Sequence, residues 1–372
     1  MNILLLEPFL SGSHQKWAEG YQAHSRHEVR LLSLKGRHWK WRMHGGAVSL
    51  AGQFSRLNWQ PNLLLATDML DVAAFLGLTR QQAAGIPAAI YFHENQATYP
   101  WSPADEDVAL QRDNHYGFIN YTSALASSRI FFNSHFHRNS FLEALPQFLK
   151  QFPDARELHR IKEIKKKSEV LPLGMDLRSL DIAAKPPKYA EATLLWNHRW
   201  EYDKAPEAFF NALFRLKEEN IPFRLIVLGS AYRQSPDIFR IARQRLREEI
   251  VHYGYAESQE TYARLLWQAD ILPVTSRQDF FGGSVVEAIY CNCFPLLPNR
   301  LAYPEHIPPK ERHRHLYEKE EEFYPKLRDA VLQIGKIREA AVLRDFVARY
   351  DWSILVAEYD NAFGLLSVQE PK

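Results

Sequence analysis

The chain has 372 residues, of which 46% are hydrophobic and 24% charged, and its formal net charge is +2. This composition is that of a globular protein with about two domains, and it excludes disordered and fibrous chains. The two cysteines exclude a disulfide framework, and no apolar run reaches the ~18–20 residues of a membrane helix. We therefore expect a soluble, cytoplasmic protein with no membrane insertion.

Short apolar runs alternate with amphipathic segments along almost the whole chain. The runs that predict buried strands are residues 3–6, 29–34, 63–67, 88–93, 129–133, 169–173, 193–197, 224–229, 251–254, 270–276 and 294–298. Helical patterns between them include 206–219, 257–268 and 284–291. Because several of the strands are apolar throughout, the alternation predicts parallel sheets with helices on both faces, in an α/β fold.

A polar, proline-rich stretch at residues 185–188 (KPPK) separates two sets of strands. It predicts a first Rossmann-like, doubly wound domain over 1–177, a linker over 178–192 and a second such domain over 193–349. The amphipathic tail, 350–372, is expected to form a helix that crosses back to the first domain. In this architecture ligands bind at the carboxyl ends of the strands, so residues directly after strands are the functional candidates.

Two polar loops in the first half follow predicted strands. In Ser11-Gly12-Ser13-His14, Gly12 would let the backbone approach a phosphate at a helix N-terminus, although the loop is not a GxGxxG motif. A plain turn with a helix cap is the alternative. The cluster His93-Glu94-Asn95-Gln96 suits a sugar or a phosphate and is not an HExxH metal motif. Its alternative is a loop that local side-chain bonds hold together.

In the second half, Arg199 and Lys204 lie five residues apart, one where a predicted strand ends and one before the next helix. Two cations in this position could stabilise a pyrophosphate leaving group, on which negative charge grows in the transition state. The alternative is a pair of solvated surface charges.

The most specific pattern consists of two carboxylates, Asp279 and Glu287, eight residues apart around the turn Gly282-Gly283. The glycine amides could bind a diphosphate at a helix start, and the carboxylates could accept hydrogen bonds from sugar hydroxyls. The alternative is structural, because Ser284 and Glu287 also have the S-x-x-E spacing of a capping box.

Basic residues cluster in two segments, of which the first also contains two tryptophans, and both could bind a single-stranded RNA loop. The residues are Trp39, Lys40, Trp41 and Arg42, and Lys165, Lys166 and Lys167 at the end of the run 156–167. Both segments could instead be solvated faces, and the apolar spacing of 158, 161 and 164 also fits a helix on a membrane surface. The segment Asp105-Glu106-Asp107 fits a D-x-D metal motif but also a polar loop, and we expect no metal site.

Taken together, these strings resemble the tRNA-queuosine mannosyltransferases, which are retaining glycosyltransferases of the GT-B fold. The resemblance covers nearly the whole chain, from Ile3 to about Tyr359. The matching strings are His93-Glu94-Asn95-Gln96 with Tyr99-Pro100, and residues 197–204, 280–288 and 298–305.

The resemblance implies two Rossmann-like domains that face each other across a cleft, with the acceptor side in 1–177 and the nucleotide-sugar side in 193–349. It implies transfer of mannose from GDP-mannose to queuosine at the wobble position of tRNA(Asp), with retention of anomeric configuration. The enzymes it resembles need no catalytic metal or other cofactor.

The resemblance also implies a role for each matching residue. Arg199 and Lys204 would hold the donor diphosphate, and His93 and Asp279 would act with them at the reaction centre. The other donor-binding residues would be Gly12, Tyr255, Gly282, Gly283, Ser284 and Glu287. On the acceptor or tRNA side we predict, from the residue patterns described above, Trp39, Lys40, Trp41, Arg42, Glu94, Asn95, Lys165, Lys166 and Lys167.

The sequence departs from the wider superfamily at two positions near the donor sugar. Asp279 stands where a glutamate is usual, and Gly283 where a larger residue is usual. The alternatives are therefore a GT-B glycosyltransferase that uses another nucleotide sugar, or one with a lipid, polysaccharide or small-molecule acceptor. An epimerase or phosphorylase on the same fold, and an RNA-binding module with a decayed active site, also remain open.

Overall fold

The structure is a computed structural model that describes residues 1–101, 106–109, 114–182, 184–229, 235–339 and 343–366. The chain divides into two compact units, Met1–Met175 with Trp352–Lys372, and Asp176–Asp351. In the described residues, each unit contains one six-stranded sheet in which all strands pair in parallel. The predicted α/β class with parallel sheets is confirmed.

The first unit has the strand order β2-β1-β3-β4-β5-β6. Its strands are β1 (Asn2–Leu10), β2 (Glu28–Lys35), β3 (Leu63–Thr67), β4 (Ala88–Phe92), β5 (Arg129–Phe132) and β6 (Ser168–Val170). Its helices are α1 (Gly12–His24), α2 (Trp39–Phe54), α3 (Val72–Leu78), α4 (Glu106–Ala109), α5 (Asn114–Ala126), α6 (His135–Lys150), α7 (Ile161–Lys167) and α16 (Trp352–Gly364), with a 3-10 turn at Leu158–Arg160.

The second unit has the strand order β12-β11-β10-β7-β8-β9. Its strands are β7 (Ala192–Asn197), β8 (Phe223–Leu228), β9 (Ile250–Gly254), β10 (Ile271–Pro273), β11 (Phe294–Pro298) and β12 (Leu316–Tyr317). Its helices are α8 (Pro206–Glu218), α9 (Ile238–Arg245), α10 (Gln259–Gln268), α11 (Gly283–Tyr290), α12 (Arg312–His315), α13 (Glu320–Leu332), α14 (Ile334–Glu339) and α15 (Arg344–Val347). The 3-10 turns are Arg178–Leu180, Tyr202–Lys204, Tyr303–His306, Pro309–Glu311 and Ala348–Tyr350.

Continuous apolar runs form the central strands because helices cover both faces of each sheet. Every residue of β3 and β4 is buried, as a strand inside a doubly wound sheet requires. In the second unit, Trp196 of β7 packs edge-on against Phe209 of α8 and Phe239 of α9. The carboxyl ends of the strands carry the polar loops that the sequence singles out.

The two units divide between Met175 and Asp176, so the segment predicted as a linker, 178–192, is grouped with the second unit. Two residues of this segment bond to the second unit. Asp181 accepts a hydrogen bond from Tyr290 at 3.0 Å, and the Nζ of Lys188 donates to a carbonyl of the second unit at 2.6 Å. A proline-rich composition therefore marks a bonded surface segment here.

Helix α16 belongs to the first unit. Its Tyr359 hydroxyl accepts a hydrogen bond from Trp17 at 3.0 Å, and its buried Asp360 accepts one from Tyr21 at 3.0 Å. Trp352 packs directly on glycine: a Cβ at Gly20 would lie 2.1 Å from its indole ring. Across the described residues, no helix combines the length and the apolar character needed to cross a bilayer.

Candidate functional site

Lys204 is a buried cation at the carboxyl end of β7. It ends the 3-10 turn Tyr202–Lys204, and its side chain is only 8% exposed. Its Nζ lies 2.5 Å from the Gln278 carbonyl, 3.2 Å from the Asp203 carboxylate and 3.4 Å from Oδ2 of Asp279. Two carboxylates offset the cost of burying the ammonium group. The alternative of a solvated surface charge is therefore excluded for Lys204.

Asp279 lies after β10 and is held by two donors. Its Oδ2 accepts a hydrogen bond from the Tyr303 hydroxyl at 3.0 Å and faces the Lys204 ammonium. Burial favours the neutral acid, but Lys204, His198 and the Tyr303 bond outweigh it and hold the pKa of Asp279 below its usual value. Asp279 is therefore a carboxylate at neutral pH, able to accept hydrogen bonds.

The turn before α11 requires glycine. Gly282 has φ +85, and a Cβ there would lie 3.0 Å from the Tyr303 ring. The amides of Val285 and Val286 both bond to the Gly282 carbonyl. The amides of Gly283 and Ser284 thus lie in the first turn, at the electropositive end of the helix.

Glu287 lies one turn into α11 and is held by a tyrosine of α10. The Tyr262 hydroxyl donates to its Oε2 at 2.6 Å and accepts a hydrogen bond from Nδ2 of Asn197 at 2.9 Å. Asn197 also donates to the Ser284 carbonyl at 3.0 Å. The helix is capped at Gly282, one residue before its first helical position, so Ser284 is not the N-cap and the capping-box alternative is wrong.

His198 directly follows β7 and is buried. Its Nδ1 lies 3.3 Å from the Ser284 hydroxyl, and among the described residues its Nε2 has no hydrogen-bond partner. Burial and the nearby Lys204 lower the pKa of His198 to about 3, so the ring is neutral. Its neighbour Arg199 is half exposed, with its guanidinium 3.3 Å from Glu201. Tyr255, after β9, is 75% exposed.

The first unit has its own buried polar group at the carboxyl end of its sheet. The Nδ1 of His14 lies 2.9 Å from Oε2 of Glu7, and the His14 and His93 rings are 4.2 Å apart. The backbone amide of His93 donates to Asp68 at 2.7 Å. Burial and the neighbouring His14 lower the pKa of His93 well below its usual value, so His93 is neutral. Burial raises the pKa of Asp68.

Among the described residues, Glu7, His14 and His93 place metal-ligating atoms within 4.8 Å of one another. Glu7 and His14 already satisfy each other as a hydrogen-bonded ion pair, and Oε1 of Glu7 accepts the Phe9 amide at 2.8 Å. We therefore interpret the group as an ion pair next to a neutral imidazole. Of the D-x-D candidate, Asp105 lies outside the described residues, and Asp107 pairs with Lys40 at 2.5 Å.

The remaining polar residues after β4 differ in exposure. Asn95 is fully buried, and its Oδ1 accepts hydrogen bonds from the Thr98 amide and hydroxyl, both at 3.0 Å. Oδ1 of Asn95 therefore stabilises the turn, and a contact between Asn95 and the acceptor stays a prediction. Glu94 is partly exposed and accepts a hydrogen bond from Gln96 at 2.9 Å.

Gly12, which follows β1, has φ +54, and no atom lies within 4 Å of a Cβ built there.

The start of α2 divides into packed and exposed residues. Trp39 packs on a small core with Tyr116, at 5.1 Å between ring centroids. Lys40 lies beside Trp39 in its ion pair with Asp107. Trp41 is 64% exposed, and Nε of Arg42 donates to the Lys35 carbonyl at 3.1 Å. Trp41 is thus the aromatic ring of this segment that solvent reaches most.

Lys167 is a structural residue. Its Nζ donates to three carbonyls at the end of α5, those of Ala124, Leu125 and Ser127, at 3.1, 2.8 and 2.7 Å. An ammonium at a helix C-terminus satisfies carbonyls that have no partner inside the helix. The prediction that Lys167 binds RNA is therefore corrected, whereas Lys165 and Lys166 are exposed.

Four residues of the second unit's site were given no role from the sequence: Tyr262, and Asn197, His198 and Tyr303, which were named only within the matching strings. Asn197 and His198 stand directly at the end of β7, so the rule that favours residues after strands could have selected them. Tyr262 lies on a helix face and Tyr303 in a 3-10 turn. Neither of these positions carries a sequence signal for the contact that it makes.

Two family models match the chain. The model of the N-terminal region of tRNA-queuosine alpha-mannosyltransferases matches residues 2–175, and the model of group 1 glycosyl transferases matches residues 180–340. A tRNA-queuosine alpha-mannosyltransferase of Drosophila melanogaster is 34% identical to this chain over 319 residues, which cover 83% of this chain and 82% of that protein.

Solved structures share the fold at low sequence identity. A sucrose-phosphate synthase from Thermosynechococcus elongatus has a TM-score of 0.71 at 14% identity, over 98% of this chain and 99% of its own. HepE from Anabaena, in complex with UDP and glucose, has a TM-score of 0.63 at 14% identity, over 98% of this chain and 100% of its own. The resemblance inferred from the sequence is confirmed: the chain has the α/β GT-B fold, is a glycosyltransferase, and belongs to the tRNA-queuosine alpha-mannosyltransferase family.

Proposed function

We propose that the chain transfers mannose from GDP-mannose to queuosine at the wobble position of tRNA(Asp), with retention of anomeric configuration. Family membership supports the reaction class and the acceptor. The observation that carries the proposal is the grouping of Lys204, Asp279 and Glu287 around the start of α11. A cation, a helix N-terminus and two carboxylates together suit a diphosphate with a sugar on each side.

The parts of the donor find complementary groups in the second unit. The diphosphate would meet Lys204, Arg199 and the first-turn amides of α11, all of which are electropositive. Glu287 would accept hydrogen bonds from the ribose hydroxyls, and Asp279 from hydroxyls of the mannose. Tyr255 offers an exposed ring on which the guanine could stack.

In the chemical step, the bond between the anomeric carbon and the diphosphate oxygen breaks, and its electron pair stays on the oxygen. Lys204 and the N-terminus of α11 would stabilise the anion that forms, the task that a metal performs in other transferases. The queuosine hydroxyl bonds to the anomeric carbon on the same face, and its proton passes to the departing diphosphate. We propose no catalytic metal, because these fixed charges supply the required field.

The first unit would provide the acceptor side. Trp41 and Arg42 present an aromatic ring and a cation at the start of α2, and Lys165 and Lys166 are exposed cations on α7. Aromatic rings stack on unpaired bases, and lysines bind phosphates in a salt-dependent way. His93, neutral and buried, would lie at the reaction centre. We propose a cytoplasmic enzyme, because its acceptor would be a tRNA.

The test is mass analysis of nucleosides from tRNA incubated with the purified protein and a panel of nucleotide sugars. tRNA with queuosine and tRNA without it are treated in parallel. We expect a hexose to be added to queuosine alone, and with GDP-mannose alone. A mass gain with another nucleotide sugar would contradict the donor, and a gain on queuosine-free tRNA would contradict the acceptor.

A folded protein that binds a nucleotide sugar but modifies neither tRNA would favour a lipid or small-molecule acceptor. The Asp279 side chain is one methylene shorter than the glutamate usual in the superfamily. The identity of the donor sugar is therefore the prediction that this test examines most directly. The panel therefore includes UDP-glucose and ADP-glucose beside GDP-mannose.

A further inference from the structure

Each carboxylate of the donor site is bonded to a tyrosine that lies far from it in sequence. Tyr262 of α10 donates to Glu287 at 2.6 Å, and Tyr303 donates to Asp279 at 3.0 Å. The two tyrosines come from different elements, a helix and the 3-10 turn Tyr303–His306. The two contacts are therefore structurally separate, and each tyrosine holds one carboxylate of the pair.

We propose that Tyr262 and Tyr303 are positioning residues with separate tasks, Tyr262 aligning Glu287 for the nucleoside ribose and Tyr303 aligning Asp279 for the transferred sugar. This inference rests on the proposed function. A carboxylate has about four acceptor positions on two oxygens. A bond from a fixed hydroxyl to one oxygen sets the plane of the group and so directs the other positions toward a ligand.

The Tyr262 hydroxyl is itself fixed by a third residue. It accepts a hydrogen bond from Nδ2 of Asn197 at 2.9 Å, so its own proton is directed to Glu287. Asn197 is anchored to the start of α11 through the Ser284 carbonyl. The chain of bonds runs from the end of β7 through α10 to α11 and so ties Glu287 to regular secondary structure.

Tyr303 holds Asp279 in a different way. Its ring is fully buried and fills the space beside Gly282, where a Cβ would lie 3.0 Å from it. The same turn supports the loop a second time, because the His306 ring lies 2.5 Å from the Phe281 carbonyl and bonds to it. The short Asp279 side chain is thus fixed by Tyr303 and Lys204, both on Oδ2.

Both tyrosines remain donors over the whole working range of pH. Burial and the neighbouring carboxylate raise the pKa of Tyr262 and of Tyr303 well above the usual value. The hydroxyl proton needed for each bond is therefore always present.

The test measures the dissociation constants of GDP and GDP-mannose for the wild type, Tyr262→Phe and Tyr303→Phe by titration calorimetry, together with kcat and KM for transfer. Phenylalanine keeps the ring and removes the hydrogen bond. Tyr262→Phe should weaken the binding of GDP and of GDP-mannose by the same factor, about tenfold, which corresponds to about 1.4 kcal/mol, because the hydrogen bond that orients Glu287 is lost. Tyr303→Phe should leave the dissociation constant of GDP unchanged and lower kcat/KM for GDP-mannose about tenfold.

Tyr290→Phe is the matched control. Tyr290 is the last residue of α11, and its hydroxyl also donates to a carboxylate of the same unit, Oδ2 of Asp181, at 3.0 Å. This substitution should change the dissociation constant of neither GDP nor GDP-mannose. A purely structural role for the two tyrosines would lower thermal stability and weaken both ligands alike in every variant. Equal loss of GDP binding in Tyr262→Phe and Tyr303→Phe, or no change in either, would overturn the proposal.

The failure of the proposed function gives a different pattern. If the wild type binds UDP and UDP-glucose, or ADP and ADP-glucose, in place of the guanosine pair, the proposed donor is wrong. The same comparison made with the bound pair then still tests the tyrosines. A wild type that binds none of these pairs would overturn both proposals.

Discussion

Replacing His14 by glutamine is expected to remove a pH-dependent contribution to the stability of the first unit. Burial alone would lower the pKa of His14, but the carboxylates of Glu7, Asp68 and Glu94 raise it from 6.5 to about 9. The folded state favours the charged ring, so the contribution is complete below pH 6.5 and is lost as the pH rises through 9. The rise in the pKa of His14 from 6.5 to about 9 corresponds to about 3 kcal/mol of stability, at about 1.4 kcal/mol for each pKa unit.

The assay is thermal unfolding of the wild type and His14→Gln between pH 6 and pH 9.5. For a unit of about 200 residues, 3 kcal/mol corresponds to about 6–12 °C. The wild type should lose up to that much more than the variant over this range; the Asp68 carboxyl also titrates here, and because His14 lowers its pKa, part of the difference is offset in the variant. His24→Gln is the control, since His24 lies on the same helix but is exposed. Parallel curves for the wild type and His14→Gln would refute the reasoning.

Three further predictions concern single side chains. Lys204→Met should reduce transfer by more than about 100-fold, because the charge that meets the diphosphate is lost; turnover within tenfold of the wild type would contradict this. Gly282→Ala should cost about 1–2 kcal/mol of stability through its positive φ and raise the KM for the donor, measured by thermal unfolding and steady-state kinetics. Lys167→Met should destabilise the fold by about 1–3 kcal/mol, whereas Lys165→Met should not; equal melting temperatures would contradict the assignment of Lys167 as a helix cap.

The sheets could be predicted because buried parallel strands are long apolar runs. The observed bounds of β3 and β11 are those that the sequence indicates, and each of the eleven predicted runs overlaps a strand. Strand β12 was missed, because the two residues Leu316 and Tyr317 are too few to show a pattern. The unit to which a segment belongs depends on contacts between distant residues, so the sequence could not show that 178–192 is grouped with the second unit.

The candidate site was only partly predictable for a related reason. Local spacing identified Asp279 and Glu287, which lie on either side of the first residue of α11. It could not reveal that Lys204 is buried or that Lys167 caps a helix, since both depend on carbonyls and carboxylates about 40 to 75 positions away. A lysine at the end of a basic run looks the same in either environment.

The return of α16 to the first unit has a consequence for the order of folding during synthesis. Tyr21, Ser25 and Arg26 all direct hydrogen-bond donors to Asp360, about 335 positions further along the chain. When a ribosome has completed the first sheet, these donors still lack their acceptor, and the surface that receives Trp352 is uncovered. The first unit therefore reaches its final packing only after the second unit has been synthesised, although most of the first unit comes earlier in the sequence.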